Sequence, residues 1–112
     1  LSRSERAVRL AEQHFARQPE KPINVEQLAA ELGIAYSHFC DEFRHFTGLT
    51  PWDYVTHLRL KQSRRLLISS DARLEEVAKL AEFCSADRFC QEFQKEYGYS
   101  PSVWRRQVRA IN

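Results

Sequence analysis

The side chains with the most chemical reach in this sequence fall on two helical stretches about fifty positions apart. The first offers Tyr36, Ser37, Cys40, Asp41 and Arg44, on the helix face opposite Phe39, Phe43 and Phe46. The second offers Ala86, Asp87, Arg88, Cys90, Gln91 and Gln94, opposite Phe89, Phe93 and Tyr97. Neither set places a nucleophile beside a base, and no phosphate-cradling loop accompanies them. What they share is a solvent-facing stripe of hydrogen-bonding groups. Catalytic and metal chemistry fail on spacing. Asp41–Glu42 and Glu75–Glu76 are chain neighbours, which do not face each other on a helix. His14, His38, His45 and His57 lack the spacing of a metal site. The sequence implies no enzyme, no metal and no cofactor.

The two stripes belong to a repeat. Phe39-Cys40-Asp41-Glu42-Phe43 is followed by Gly48, Pro51 and Tyr54. Phe89-Cys90-Gln91-Glu92-Phe93 is followed, in the same register, by Gly98, Pro101 and Trp104. Gly and Pro at matching offsets point to two copies of one supersecondary unit.

Helical periodicity and capping signals outline the elements. Residues 4–17 read as a helix burying Val8, Ala11 and Phe15, capped by Ser4 or Ser2 and ended by Pro19 and Pro22. Asn24 and Gln27 form a capping box for a short helix burying Val25, Leu28, Ala29 and Leu32. Gly33 stops it in the left-handed conformation, and Ile34 plugs the turn. The next helix runs from Tyr36 to Thr47 and is closed by Gly48. Thr50-Pro51 opens a long helix to about Ser69. The second unit repeats this plan. Leu74, Val77, Ala78 and Ala81 mirror the first short helix, Phe83 mirrors Ile34, and Ser85 caps a helix from Ala86 to Tyr97. Gly98 closes that helix and Ser100-Pro101 opens the last. No strand pattern is present. The fold class is all-α, with about seven helices: two helix-turn-helix subdomains, residues 1–50 and 70–112, joined by a linker helix over 51–69.

Two helices joined by so tight a turn hold the second one outward, in a shape that fits the DNA major groove. Repeating the unit covalently extends the site. A linker helix of about 18 residues spans roughly 27 Å at ~1.5 Å per residue. With side-chain reach, that suits reading helices about one DNA turn, ~34 Å, apart. Both are then expected in adjacent major grooves on one face of the duplex.

The chain resembles the DNA-binding domain of the AraC/XylS-type bacterial transcription regulators, a homeodomain-like fold. The resemblance spans residues 25–104. It rests on Val25, Leu28-Ala29, Gly33, Phe39, Phe43, Gly48, Thr50-Pro51, Tyr54-Val55, Arg59-Leu60, Leu66-Leu67, Leu74, Val77-Ala78, Phe83, Phe89, Phe93, Tyr97-Gly98 and Ser100-Pro101, in order and spacing. It implies sequence-specific binding of double-stranded DNA. It also implies an N-terminal sensing or dimerisation domain elsewhere in the protein, and it allows RNA polymerase as a partner. The absence of any Met and the Leu-Ser-Arg-Ser start lead to the expectation that this is a piece of a longer protein.

Base reading is assigned to Tyr36, Ser37, Cys40 and Asp41 in the first unit, and to Ala86, Asp87, Arg88, Cys90 and Gln91 in the second. Asp41 or Asp87 can accept from cytosine, Gln91 can pair with adenine, and Arg88 or Arg44 with guanine. Phosphate contacts are assigned to Arg44, His45, Arg64, Arg65, Gln94, Lys95 and Arg105. Because Asp41 stands against Gln91 and Ser37 against Asp87, the two units should read different bases and the site should be asymmetric.

Charge alone does not decide this, since the net formal charge is only +2. Three cysteines without a CxxC pair fit a reducing compartment, and a cytoplasmic location is expected. No apolar run approaches the roughly 20 residues of a membrane span. The rival reading is a helical protein-interaction module that keeps the helix-turn-helix shape, motivated by the acidic Asp41 and Asp87. Three positions depart from the family pattern. Glu82 stands where a turn Gly is usual, and a left-handed Glu costs about 1 kcal/mol or more, which leaves room for a rearranged turn. Ala35 replaces a capping Ser, at ~1 kcal/mol. Arg73 is a poor cap where the first unit has Asn24.

Overall fold

Helix caps define the architecture of this chain more sharply than its hydrophobic pattern does. The computed structural model describes residues 2–17 and 24–111. Among them are seven helices and no strand. In order they are α1 (Arg3–Arg17), α2 (Val25–Glu31), α3 (Tyr36–Thr47), α4 (Pro51–Ser69), α5 (Leu74–Leu80), α6 (Ala86–Tyr97) and α7 (Pro101–Ile111). The all-α reading holds. The ending of α1 at Pro19 and Pro22 lies outside the described residues.

Five helices start on a side chain that accepts a backbone N–H. Ser2 Oγ takes Glu5 N–H at 3.1 Å, and Asn24 Oδ1 takes Gln27 N–H at 2.9 Å. Thr50, Ser85 and Ser100 do the same for α4, α6 and α7 at 3.2, 3.0 and 3.3 Å. Each satisfies one of the orphan donors of a first turn. Ala35 and Arg73 stand at the N-caps of α3 and α5 without a side-chain cap bond. The Asn24 box is half of the expected one. The Gln27 amide turns forward to Glu31 Oε1, at 3.4 Å, along its own helix.

The chain divides into two compact units, Leu1–Leu58 and Arg59–Asn112, with the division inside α4. In the first unit α1 and α2 pack on α3. Val8, Ala11, Phe15, Val25, Ala29, Phe39, Phe43 and Val55 form its core. In the second, α5 and α7 pack on α6, around Leu60, Leu67, Val77, Ala78, Phe89 and Phe93. Leu28, Leu32, Phe46, Leu74 and Tyr97 are only half-buried at the rims of these cores.

The repeated aromatics repeat their geometry. Phe39 and Phe43 have centroids 5.8 Å apart, as do Phe89 and Phe93. Tyr54 meets Phe43 edge-on at 5.3 Å, and Trp104 meets Phe93 edge-on at 5.7 Å. Such tilted contacts add to the area each ring buries. In the first unit Tyr54 also reaches Glu12 Oε2 at 3.4 Å, and Arg9 holds the same carboxylate at 2.6 Å, which ties α1 to the start of α4.

The helix-turn-helix turns close identically. Gly33 N–H donates to Ala30 O and Ile34 N–H to Ala29 O, both at 3.0 Å. Glu82 N–H donates to Lys79 O at 3.1 Å and Phe83 N–H to Ala78 O at 2.8 Å. This pair of bonds is the Schellman motif, which needs a left-handed residue after the cap. Gly33 supplies it at φ 74° and Glu82 at φ 66°. The second turn is therefore not rearranged. It keeps the shape and accepts the strain of a Cβ there.

Candidate nucleic-acid interface

The outer faces of α3 and α6 follow directly from their buried phenylalanines. With Phe39 and Phe43 fully buried, Tyr36, Ser37, Asp41, Arg44 and His45 of α3 are exposed. With Phe89 and Phe93 buried, Asp87, Arg88, Gln91, Gln94 and Lys95 of α6 are exposed. These are the two stripes expected from spacing, each on its own unit. Both carry donors and acceptors suited to base edges, and cations suited to phosphates.

Three expected base readers sit differently. Cys40 is half-buried and packed against the first core, and Cys90 and Ala86 against the second. They border the exposed faces of α3 and α6. Burial, then Asp87, then Glu75 push the Cys90 thiol up from its ordinary value. That keeps it protonated and is the reverse of a reactive thiolate. Among the described residues no cluster of His, Cys, Asp and Glu could hold a metal ion.

The phosphate candidates also separate. Arg44, His45, Arg65, Gln94 and Lys95 are exposed. Arg64 is half-buried, its guanidinium 4.7 Å from the Tyr97 ring centroid. Arg105 is committed elsewhere. Its Nε, Nη1 and Nη2 donate to the carbonyls of Leu67, Ala72 and Ser70 at 3.0, 2.8 and 3.2 Å. Arg109 adds Ser70 O at 2.7 Å and Asp71 Oδ1 at 2.8 Å. Together they cap the C-terminal carbonyls of α4, where a helix end favours cations. Arg105, expected at a phosphate, thus has three of its donors bonded to carbonyls at this helix end. Sequence shows that a basic residue is present but not which carbonyls lie within its reach.

Two contacts beside the reading faces are absent from the sequence-based expectations. Arg88 Nη2 lies 3.2 Å from Glu92 Oε1. His38, the counterpart of Arg88 in the first unit, places Nε2 3.3 Å from Ser4 Oγ on α1. The i,i+4 spacing of Arg88 and Glu92 was the available signal for the first. Nothing in the sequence pairs His38 with Ser4.

Each unit of the fold thus carries an exposed polar helix held out by a tight turn, the arrangement of a helix-turn-helix protein. Comparison with known proteins agrees. A family model described as a helix-turn-helix domain matches residues 28–107. The probable transcriptional regulator LumQ of Photobacterium leiognathi is 34% identical over 98 residues, covering 88% of this chain and 38% of that protein. The MmsAB operon regulatory protein of Pseudomonas aeruginosa is 32% identical over 87 residues, covering 78% of this chain and 28% of that protein. The chain therefore spans about a third of the length of these relatives. Among solved structures, the DNA-binding domain of AdpA in complex with a target DNA is similar with a TM-score of 0.79 and 29% identity, over 100% of this chain and 97% of that one. A probable AraC family transcriptional regulator from Rhodopseudomonas palustris shares the fold, with a TM-score of 0.83 at 23% identity over 91% of this chain and 96% of that one. The chain belongs to the AraC-type helix-turn-helix family of transcription regulators, whose members are DNA-binding proteins and not enzymes.

Proposed function

We propose that this chain reads an asymmetric double-stranded DNA site with α3 and α6, one in each of two adjacent major grooves on one duplex face. The observation that carries the reading is the pair of exposed polar faces on α3 and α6, each presented by the same Schellman-closed turn. The DNA-bound state of the AdpA domain, similar over this whole chain, supports it. Tyr36, Ser37 and Asp41 serve as base readers on α3, and Asp87, Arg88 and Gln91 on α6. Arg44, His45, Arg65, Gln94 and Lys95 take phosphates, with Arg64 at the edge. Residues 1–50 and 70–112 act as the two reading subdomains, and 51–69 as the helix between them. In the full protein, an N-terminal sensing or dimerisation domain raises affinity by bringing two such domains together. The family resemblance allows RNA polymerase as a protein partner, and the cytoplasm is the expected location. Among the described residues no helix is long and apolar enough to cross a membrane.

Salt titration of duplex binding tests the DNA reading against a protein-interaction module. Each phosphate neutralised releases counterions, so log K should fall with log salt by about 0.9 per contact. Affinity for random duplex that is flat in salt would sink the proposal.

A further inference from the structure

The structure points to Glu92 as a specificity-determining positioning residue. We infer that its carboxylate holds the Arg88 guanidinium in one orientation, so that the second reading helix discriminates one base sharply. The inference deepens the base-reading assignment above and rests on it.

Arg88 is on the outer face of α6, its side chain 60% exposed. Glu92 is one turn further along the same helix and its side chain is 23% exposed, so it is the more restrained partner. The contact runs from Nη2 to Oε1 at 3.2 Å. It occupies one nitrogen of a planar five-donor fork. The remaining donors keep the geometry needed for the two acceptors of a guanine edge. An exposed arginine loses rotamer freedom when it docks on a base. A carboxylate that already orients the fork removes part of that loss before DNA arrives. The same carboxylate adds negative charge beside a polyanion, which weakens binding to sequences that give Arg88 nothing to pair with. Glu92 thus exchanges affinity for selectivity.

The first unit does not repeat the device. Fifty positions earlier the pair is His38 and Glu42. The His38 ring reaches Ser4 on α1 instead, and no guanidinium stands at that position. The half of the site read by α6 should therefore be the more sharply defined.

The test is selection of bound duplexes from a random pool, with the 112-residue chain and its R88A, E92Q and R88A/E92Q variants. R88A should flatten preference at one base position. E92Q should lower discrimination at that same position about two- to five-fold, the size of an exposed ion pair. Its affinity for random duplex should rise. The double variant should match R88A in preference. A residue that only stabilised the helix would shift all positions together. If R88A acts at one position and E92Q leaves that position unchanged, or sharpens it, the inference is overturned while the base-reading assignment stands. If R88A alters no position, the assignment itself falls and the inference falls with it.

Discussion

Glu82 occupies in the second unit the backbone conformation that Gly33 occupies in the first, at φ 66° against φ 74°, and closes the same two hydrogen bonds. A side chain at that conformation is strained by about 1 kcal/mol or more. Glu82 also lies near the half-buried Arg59, whose pKa is lowered by burial and raised in part by the Glu82 charge. We expect E82G to stabilise the chain by roughly 0.5–1 kcal/mol in urea unfolding. G33A should cost at least as much, because its Cβ would also sit 3.0 Å from Arg3 Nη2. A destabilised E82G would mean that the Arg59 interaction outweighs the backbone term.

Arg105 and Arg65 should part company on mutation. Arg105 donates to three carbonyls around the end of α4, and bonds from a charged donor are worth about 1.5–3 kcal/mol. R105A should lower stability by about 2 kcal/mol, with Arg109 retaining Ser70 O, and leave the salt dependence of DNA binding unchanged. R65A should do the opposite, with near-native stability and a salt slope smaller by about one contact. Thermal melts and salt titrations on the same two proteins separate these roles.

Tyr97 gives the fold a sensitivity to strong alkali. Burial, with help from Glu96, pushes its phenol up to about 12 against the opposing Arg64 charge. The folded state thus holds that proton where the unfolded chain, near 10, releases it. The stabilisation is complete below pH 10 and is lost as pH rises towards 12. Absorbance of the phenolate should show a late-ionising tyrosine that disappears in Y97F. Y97F should also flatten the loss of stability between pH 10 and 12. Ordinary titration of every tyrosine near pH 10 would contradict this account.

The fold was largely legible because its punctuation is local. Thr50-Pro51 and Ser100-Pro101 are read from neighbours alone, and α3, α4 and α6 begin and end where caps, prolines and glycines place them. Gly33, Gly48 and Gly98 all take positive φ. The Glu82 turn was less legible. The chain keeps the turn through packing of Phe83 on the second core, and local propensity does not report packing. The reading faces were visible as the complement of the phenylalanines. Periodicity placed Cys40, Cys90 and Ala86 on those faces, but it does not resolve half-burial at a helix edge. The contacts of Arg105 and His38 were not legible because their partners lie 33 to 38 residues away, and 34 residues away, in sequence.

The central claim is that α3 and α6 read different bases in one asymmetric site. The most direct measurement is base preference, position by position, for S37A and Q91A against the parent chain. Each variant should lose discrimination at its own half of the site, by about 1–3 kcal/mol for a bidentate contact such as that of Gln91, and leave the other half intact. Equal weakening at every position, with no change in the preferred sequence, would contradict the account.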